Sequence, residues 1–361
     1  MGQRKRIGIL TSGGDCAGLN AVIRAVVRHA VGNYGWEVLG IREATHGLMS
    51  RPPKVMRFDM DKIDHDRLMT IGGTILGTTN KGDPFAFPMS DGAVQDRSHE
   101  IIEGYHSLGL DALIAIGGDG SLAILRKLAQ QGDIPLIGIP KTIDNDVGAT
   151  EMSIGFDTAT TIATEALDRL HFTAASHSRV MVVEVMGRDA GHIALTAGIA
   201  GGADIILIPE IAYHMDKICR RIRHRQAMGK PFCLVIVSEA VLTAGGEKIT
   251  QLNQGETRLG GVGQYIAQEI AQHTKSETRV TVLGHVQRGG IPSSVDRLLG
   301  ATFGVAAVDL IAEGNFDRMV AWQNNQVVSV PIAEAIQTYR QVDPQGTLVK
   351  TARGLGICLG D

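Results

Sequence analysis

The chain has 361 residues, beyond the size at which a single hydrophobic core usually keeps growing, so two domains or two lobes are expected. Hydrophobic residues make up 44% and aromatics only 4%, so the interior must be built from Ile, Val, Leu, Ala and Met, as in parallel α/β sheets and unlike most β-sandwiches. A net charge of −3, with 35 Lys and Arg spread along the chain, leaves no electrostatic footprint for nucleic acid or an anionic membrane. No run reaches the roughly 20 apolar residues that span a bilayer. Cys16, Cys219, Cys233 and Cys358 lie far apart without C-x-x-C spacing, which suggests neither a disulfide framework nor a zinc site. With no signal-peptide core at the start, a cytoplasmic setting is expected.

Short apolar runs recur, each closed by a Gly- or Asp-containing turn and followed by helical spacing: RIGILTSGGD, DALIAIGGDG, PLIGIPKTIDND, RVMVVEVMGRD, PFCLVIVSEA and RVTVLGHVQRGG. This is the βαβ pattern of a doubly wound parallel sheet. Ligands of such sheets gather at the C-terminal edge of the strands, so the turns are where chemistry is expected.

The first turn, Thr11-Ser12-Gly13-Gly14-Asp15, precedes a helical run over 19–30. Two glycines let backbone N–H groups approach a phosphate, and a helix N-terminus favours negative charge there, although a plain tight turn fits the same residues. The pattern is neither G-x-G-x-x-G nor G-x-x-x-x-G-K-[ST]. Residues 82–98, rich in Pro, Gly and Asp, read as a surface loop. After a strand over 112–116 comes Gly117-Gly118-Asp119-Gly120-Ser121, where residues without bulk flank an Asp and leave room for a polyphosphate. Asp119 reads as a Mg²⁺ ligand, direct or through water, or else as the cap of the next helix. The third turn, Pro140-Lys141-Thr142-Ile143-Asp144-Asn145-Asp146, is the most specific feature. Carboxylates at i and i+2 raise one another's proton affinity. They suit a general base beside a metal-organising carboxylate, with a solvated acidic turn as the alternative.

The second half echoes the first. Residues 6–18 (RIGILTSGGDCAG) and 179–191 (RVMVVEVMGRDAG) share a strand, a turn and a helix start, as two duplicated lobes or two convergent βα turns would. Arg188 stands where the first copy has Asp15, so one lobe suits a metal-nucleotide and the other an anionic substrate. Arg179, Arg188, Arg279, His285 and Arg288 all fall in strand-turn segments, and arginine clamps phosphate bidentately without losing its charge. With Glu239 closing a strand over 232–238, they read as a sugar-phosphate pocket in which Glu239 accepts hydrogen bonds from sugar hydroxyls. From about residue 339 the periodicity is weak and carries no functional reading.

Taken together, the strings LTSGGDCAGLNAVIR, GGTILG, IGGDGS, P-K-TIDND, IGFDTA, VVEVMGRDAGHIAL, GGAD and ETRVTVLGHVQRGG resemble those of the phosphofructokinases, over nearly the whole chain from residue 5 to about 324. The resemblance implies an α/β fold of two similar Rossmann-like lobes with parallel-sheet cores and the active site in the cleft between them. It implies a nucleotide-binding lobe over 1–140, completed by about 256–310, and a sugar-phosphate-binding lobe over 141–255, completed by about 311–361. The implied reaction is glycolytic transfer of the ATP γ-phosphate, with Mg²⁺, to the C1 hydroxyl of fructose 6-phosphate. The implied assembly is an allosteric homotetramer, with a homodimer as the alternative, in which Arg179 and Arg279 reach into a neighbour's pocket. Carried over by position, Asp144 is the general base and Asp119 and Asp146 organise the metal. Thr142 and Arg188 hold the transferring phosphoryl, which the Gly14 backbone N–H meets. Gly118, Gly120, Ser121 and Lys81 join Gly14 and Asp119 at ATP, and Met186, Gly187, Glu239, His285 and Arg288 match the sugar-phosphate pocket.

Three features depart from the family's common patterns. Members that use ATP carry Gly after the Asp of the second turn, whereas those that use pyrophosphate carry Asp there and Lys in the third turn; this chain has Gly120 and Lys141. A carboxylate at 120 would occupy and repel the nucleotide α-phosphate, so Gly120 points to ATP, with pyrophosphate as the alternative donor. Asn80, followed by Lys81, replaces an Arg that supports the donor phosphates, and Lys81 substitutes as a point charge without bidentate geometry. Arg24, Arg28 and Lys230 match cations of the bacterial effector pocket, but His171 and Met228 replace others, so that pocket is only partly kept and the resemblance does not imply the usual response to phosphoenolpyruvate and ADP. Intact Asp119, Asp144 and Asp146 argue against a non-catalytic regulatory subunit. A Rossmann dehydrogenase is excluded by the lack of G-x-G-x-x-G followed by an acidic residue about 20 positions on.

Overall fold

Strands Arg6–Thr11, Ala112–Gly117 and Leu136–Pro140 are almost continuous runs of Ile, Leu, Ala and Gly without polar alternation, the composition of strands covered on both faces. In the computed structural model, which describes residues 4–58, 65–89, 91–243, 245–253 and 256–361, these three form the parallel centre of a seven-stranded sheet. Its order is Gln326–Pro331, Arg318–Gln323, Leu136–Pro140, Ala112–Gly117, Arg6–Thr11, Glu37–Ile41, Val55–Arg57, with the first and last strands antiparallel to their neighbours. Leu10, Leu113 and Leu136 of the sheet share a buried cluster with Leu122, Leu125 and Leu128 of the helix Asp119–Gly132.

This sheet belongs to the first of two units, Met1–Asp157 with Arg288–Tyr339; the second is Thr158–Gln287 with Arg340–Asp361. The division departs from the lobes expected from the sequence, because residues 141–157, with the third turn, and 311–339 go with the first unit and 256–287 with the second. Tertiary pairing decides this. Arg318 and Met319 register against Ile137 and Gly138, extending the first sheet. The helix Ser294–Glu313 lies along Leu19–Tyr34 through small residues, a Cβ on Gly300 falling 3.1 Å from that of Ala21 and one on Gly304 2.7 Å from that of Ala25.

The second unit holds a four-stranded parallel sheet in the order Thr278–Val282, Val180–Val185, Cys233–Ser238, Ile205–Leu207. Glu184, buried in the second of these strands, accepts the backbone N–H groups of Gly261 and Gly263 at the start of the helix Val262–Thr274. The unreadable tail is structured: it contains the helix Thr347–Gly354, and Cys358 bridges in parallel to Ile205 at the sheet edge. Within the expected loop over 82–98, Phe87–Pro88 pairs with Val94–Gln95; residue 90 lies outside the described residues. Among the described residues no helix is long and apolar enough to cross a membrane.

Candidate active site

In the first unit the three turns leave adjacent parallel strands and are joined by hydrogen bonds. Ser12 N–H donates to the Ile116 carbonyl (2.9 Å) and Lys141 N–H to that of Gly117 (2.9 Å), so each turn is tied to the end of the neighbouring strand. Gly13 sits at φ +83, a left-handed conformation that glycine adopts at no steric cost. Its carbonyl accepts from the Thr78 hydroxyl (2.7 Å) and its N–H donates to Thr79 (2.9 Å), so residues 77–82 back the turn. Beyond it, Lys81 and Asn80 are exposed.

Two cations lie on this turn. The Lys141 ammonium, only 5% exposed, donates to the Gly14 carbonyl. The Arg288 guanidinium donates to the Asp15 carbonyl (3.3 Å), and its Nη1 is 1.9 Å from where a Gly14 side chain would begin. Burial lowers the pKa of Lys141 below the ordinary lysine value, aided by Arg288, while Cys16, Asp144 and Asp15 push it up. Cys16 itself is a buried thiol pushed up to about 12, mainly by desolvation, so it is a packing residue and no nucleophile.

At the second turn Asp119 is the first residue of the helix Asp119–Gly132, and the cap position before it is Gly118, which makes no side-chain cap. Asp119 is half-buried and Gly120 exposed; a Cβ on Gly120 would meet nothing within 4 Å. Ser121 Oγ lies 3.0 Å from a Cβ position on Gly13, across from the first turn. The third turn is held by a returning segment: Thr142 N–H donates to the Ile154 carbonyl (3.1 Å), Ile154 N–H to that of Pro140 (3.2 Å), and Ser153 Oγ to that of Thr142 (2.9 Å). Asp144 N–H donates to the Thr142 hydroxyl (3.1 Å), and Asn145 takes φ +53 with its amide on the Glu151 carbonyl (3.1 Å). Asp144 is 8% and Asp146 1% exposed, so neither belongs to a solvated acidic turn.

The second unit gathers the other residues singled out in the sequence. Strand Val180–Val185 runs into Met186, Gly187 and Arg188, the last at φ +53 with its N–H donating to Glu239 Oε1 (3.3 Å). Arg179 and Arg279 share one carboxylate, Glu277, Arg179 through Nη2 at 3.0 Å. His285 stands exposed on the one-turn 3-10 helix Gly284–Arg288. Gly14, Lys81, Gly118, Asp119, Gly120, Ser121, Lys141, Thr142, Asp144, Asp146 and Arg288 therefore fall in the first unit, and Arg179, Met186, Gly187, Arg188, Glu239, Arg279 and His285 in the second. The sequence reading overlooked Thr78, Ser153 and Gln287. Thr78 and Ser153 adjoin matched strings and Gln287 lies within one, which is their only signal.

Glycine-bearing turns at the C-terminal ends of parallel strands, lined with buried carboxylates and cations, define a phosphate-handling α/β protein. The comparisons narrow the class. Residues 6–311 match the family model described as phosphofructokinase. The chain is 74% identical to ATP-dependent 6-phosphofructokinase 1 of Synechocystis sp. and 68% identical to ATP-dependent 6-phosphofructokinase 1 of Nostoc sp., in both cases over 100% of each chain. Among solved structures it resembles phosphofructokinase from Saccharomyces cerevisiae, with 31% identity and a TM-score of 0.77 over 92% of this chain and 45% of that one. The chain belongs to the phosphofructokinase family.

Proposed function

We propose that this protein is an ATP-dependent 6-phosphofructokinase, which phosphorylates fructose 6-phosphate at its C1 hydroxyl to give fructose 1,6-bisphosphate. The observation that carries the choice of donor is the open space at Gly120, beside Asp119 and at a helix N-terminus, which admits the α-phosphate of a nucleotide. Asp144 accepts the C1 hydroxyl proton as that oxygen attacks the γ-phosphate. Its position is set by the Thr142 hydroxyl beneath its N–H and by the return segment 153–155. The Gly14 N–H, Thr142 and Arg188 hold the transferring phosphoryl, and Lys81 adds a point charge toward the donor. Met186, Gly187, Glu239, His285 and Arg288 hold the sugar, with Arg179 and Arg279 for its 6-phosphate.

The donor set fits Mg²⁺. Asp119, half-buried at the start of its helix, and Asp146, 1% exposed in the third turn, supply two carboxylates in the first unit, and Mg²⁺ in phosphoryl-transfer sites takes one or two carboxylates and completes its shell with phosphate oxygens and water. Asp119 and Asp146 are the carboxylates that would hold it. When bound, the ion neutralises charge on the donor phosphates. A homotetramer in the cytoplasm belongs to the same reading; exposed Val282 and Val286, on and just beyond the edge strand that carries Arg279, leave apolar surface there for a further copy.

The test is turnover of the purified protein with fructose 6-phosphate and either donor. Fructose 1,6-bisphosphate is expected with MgATP and none with pyrophosphate. Turnover with pyrophosphate and none with MgATP overturns the assignment of the donor.

A further inference from the structure

The backbone of residues 186–188 is the part of the second unit assigned above to the sugar phosphate, and it has little intrinsic reason to hold its shape. Arg188 occupies the left-handed region at φ +53, which is unfavourable for a residue with a side chain and persists only where surrounding contacts impose it. Strands Val180–Val185 and Thr278–Val282 stay paired up to the bond from Leu283 N–H to the Glu184 carbonyl (3.0 Å), the last backbone bond between them among the described residues. The next link between them is a side chain. Gln287, 1% exposed, accepts the Met186 N–H through Oε1 at 2.9 Å. Its Nε2 is buried and has no hydrogen-bond partner among the described residues, so the amide's hydrogen bonding consists of that single acceptor. Gln287 sits on the helix Gly284–Arg288, two residues after His285 and one before Arg288. At the other end of the turn, Arg188 N–H is received by Glu239.

We propose that Gln287 is a positioning residue for fructose 6-phosphate: it fixes the entrance of the 186–188 turn to the short helix that carries His285, so that the sugar-binding groups on the two segments keep one geometry. The inference rests on the function proposed above. Glu239 restrains the exit of the turn and Gln287 its entrance; without the entrance bond the turn keeps its sequence but loses its register with His285.

The experiment compares wild type, Gln287→Met and Gln287→Glu in steady-state kinetics with fructose 6-phosphate and MgATP varied separately. Gln287→Met keeps volume and removes the acceptor; KM for fructose 6-phosphate rises about tenfold while KM for MgATP stays within about twofold. Gln287→Glu removes only the unused donor and keeps an oxygen for Met186 N–H, ionised or not, so KM returns to within about threefold of wild type. Should Gln287→Met not fold, Gln287→Asn, which withdraws the amide by one methylene, must show the same split, and titration calorimetry with fructose 6-phosphate alone must show the same weakening. An unchanged KM for fructose 6-phosphate, or both KM values rising together with no recovery in Gln287→Glu, overturns the proposal and leaves the function standing. Wild type that does not turn over fructose 6-phosphate overturns both.

Discussion

Replacing Gly120 by Asp tests the donor assignment where structure and electrostatics give a number. The position lies in the first turn of the helix Asp119–Gly132, is exposed, and offers a Cβ nothing within 4 Å. The folded chain therefore accepts the side chain. Leaving glycine in a helix gains a few tenths of a kcal/mol, and an acidic group near a helix N-terminus is favourable. Any loss of activity then belongs to the donor. A carboxylate about 4 Å from one phosphate charge, at an effective dielectric near 20, costs about 4 kcal/mol, or about 10³-fold in kcat/KM for MgATP. Gly120→Ala adds volume without charge into the same open space and should lose less than about tenfold. A coupled spectrophotometric assay with MgATP varied at saturating fructose 6-phosphate reads both, beside thermal melts of each variant. Retention of kcat/KM within about tenfold in Gly120→Asp refutes the placement of the α-phosphate at this position. An equal loss in Gly120→Ala shows that volume, not charge, is the obstacle.

Asp144→Asn should lower kcat about 10²-fold or more while KM for fructose 6-phosphate stays within a few-fold, because an amide cannot take the hydroxyl proton; turnover within a few-fold of wild type removes Asp144 as the base. Arg279→Ala should raise KM for fructose 6-phosphate by about tenfold or more and leave KM for MgATP unchanged, as steady-state kinetics will read directly. Burial lowers His192 from 6.5 to about 4, against the hydrogen bond to the Arg340 carbonyl (3.1 Å) that pulls it back up. The unfolded chain therefore takes up this proton first: the contribution is complete above pH 6.5 and is lost as pH falls through about 4, by at most about 3 kcal/mol. In chemical denaturation followed across that range, His192→Gln should flatten the pH dependence, and an unchanged slope refutes it.

The strands and their turns were legible because they are local: an apolar run closed by Gly or Asp announces itself within ten residues, and Arg6–Thr11, Ala112–Gly117 and Val180–Val185 lie where the pattern puts them. The division into units was not, since it depends on which sheet recruits a strand. Nothing within residues 318–331 says that Arg318 will register against Ile137, and nothing within 278–282 says that this strand will choose Val180–Val185. The site shows the same split between local and distant information. Asp144 and Asp146 stand out by their spacing, whereas Thr78, Ser153 and Gln287 act through hydrogen bonds to groups distant in sequence, and Ser, Thr and Gln have no composition signal for that role. Arg288, matched to the sugar pocket by its string, also rests its guanidinium on the Asp15 carbonyl of the phosphate turn, a contact that its string does not announce. Lys141 changes meaning most. Read from sequence it opposes Gly120 as a mark of pyrophosphate use; in the structure its ammonium is buried and donates to the carbonyl of Gly14. A lysine that braces the first turn has a structural reason to be there whichever donor is used, so under the proposed function the choice of donor rests on Gly120.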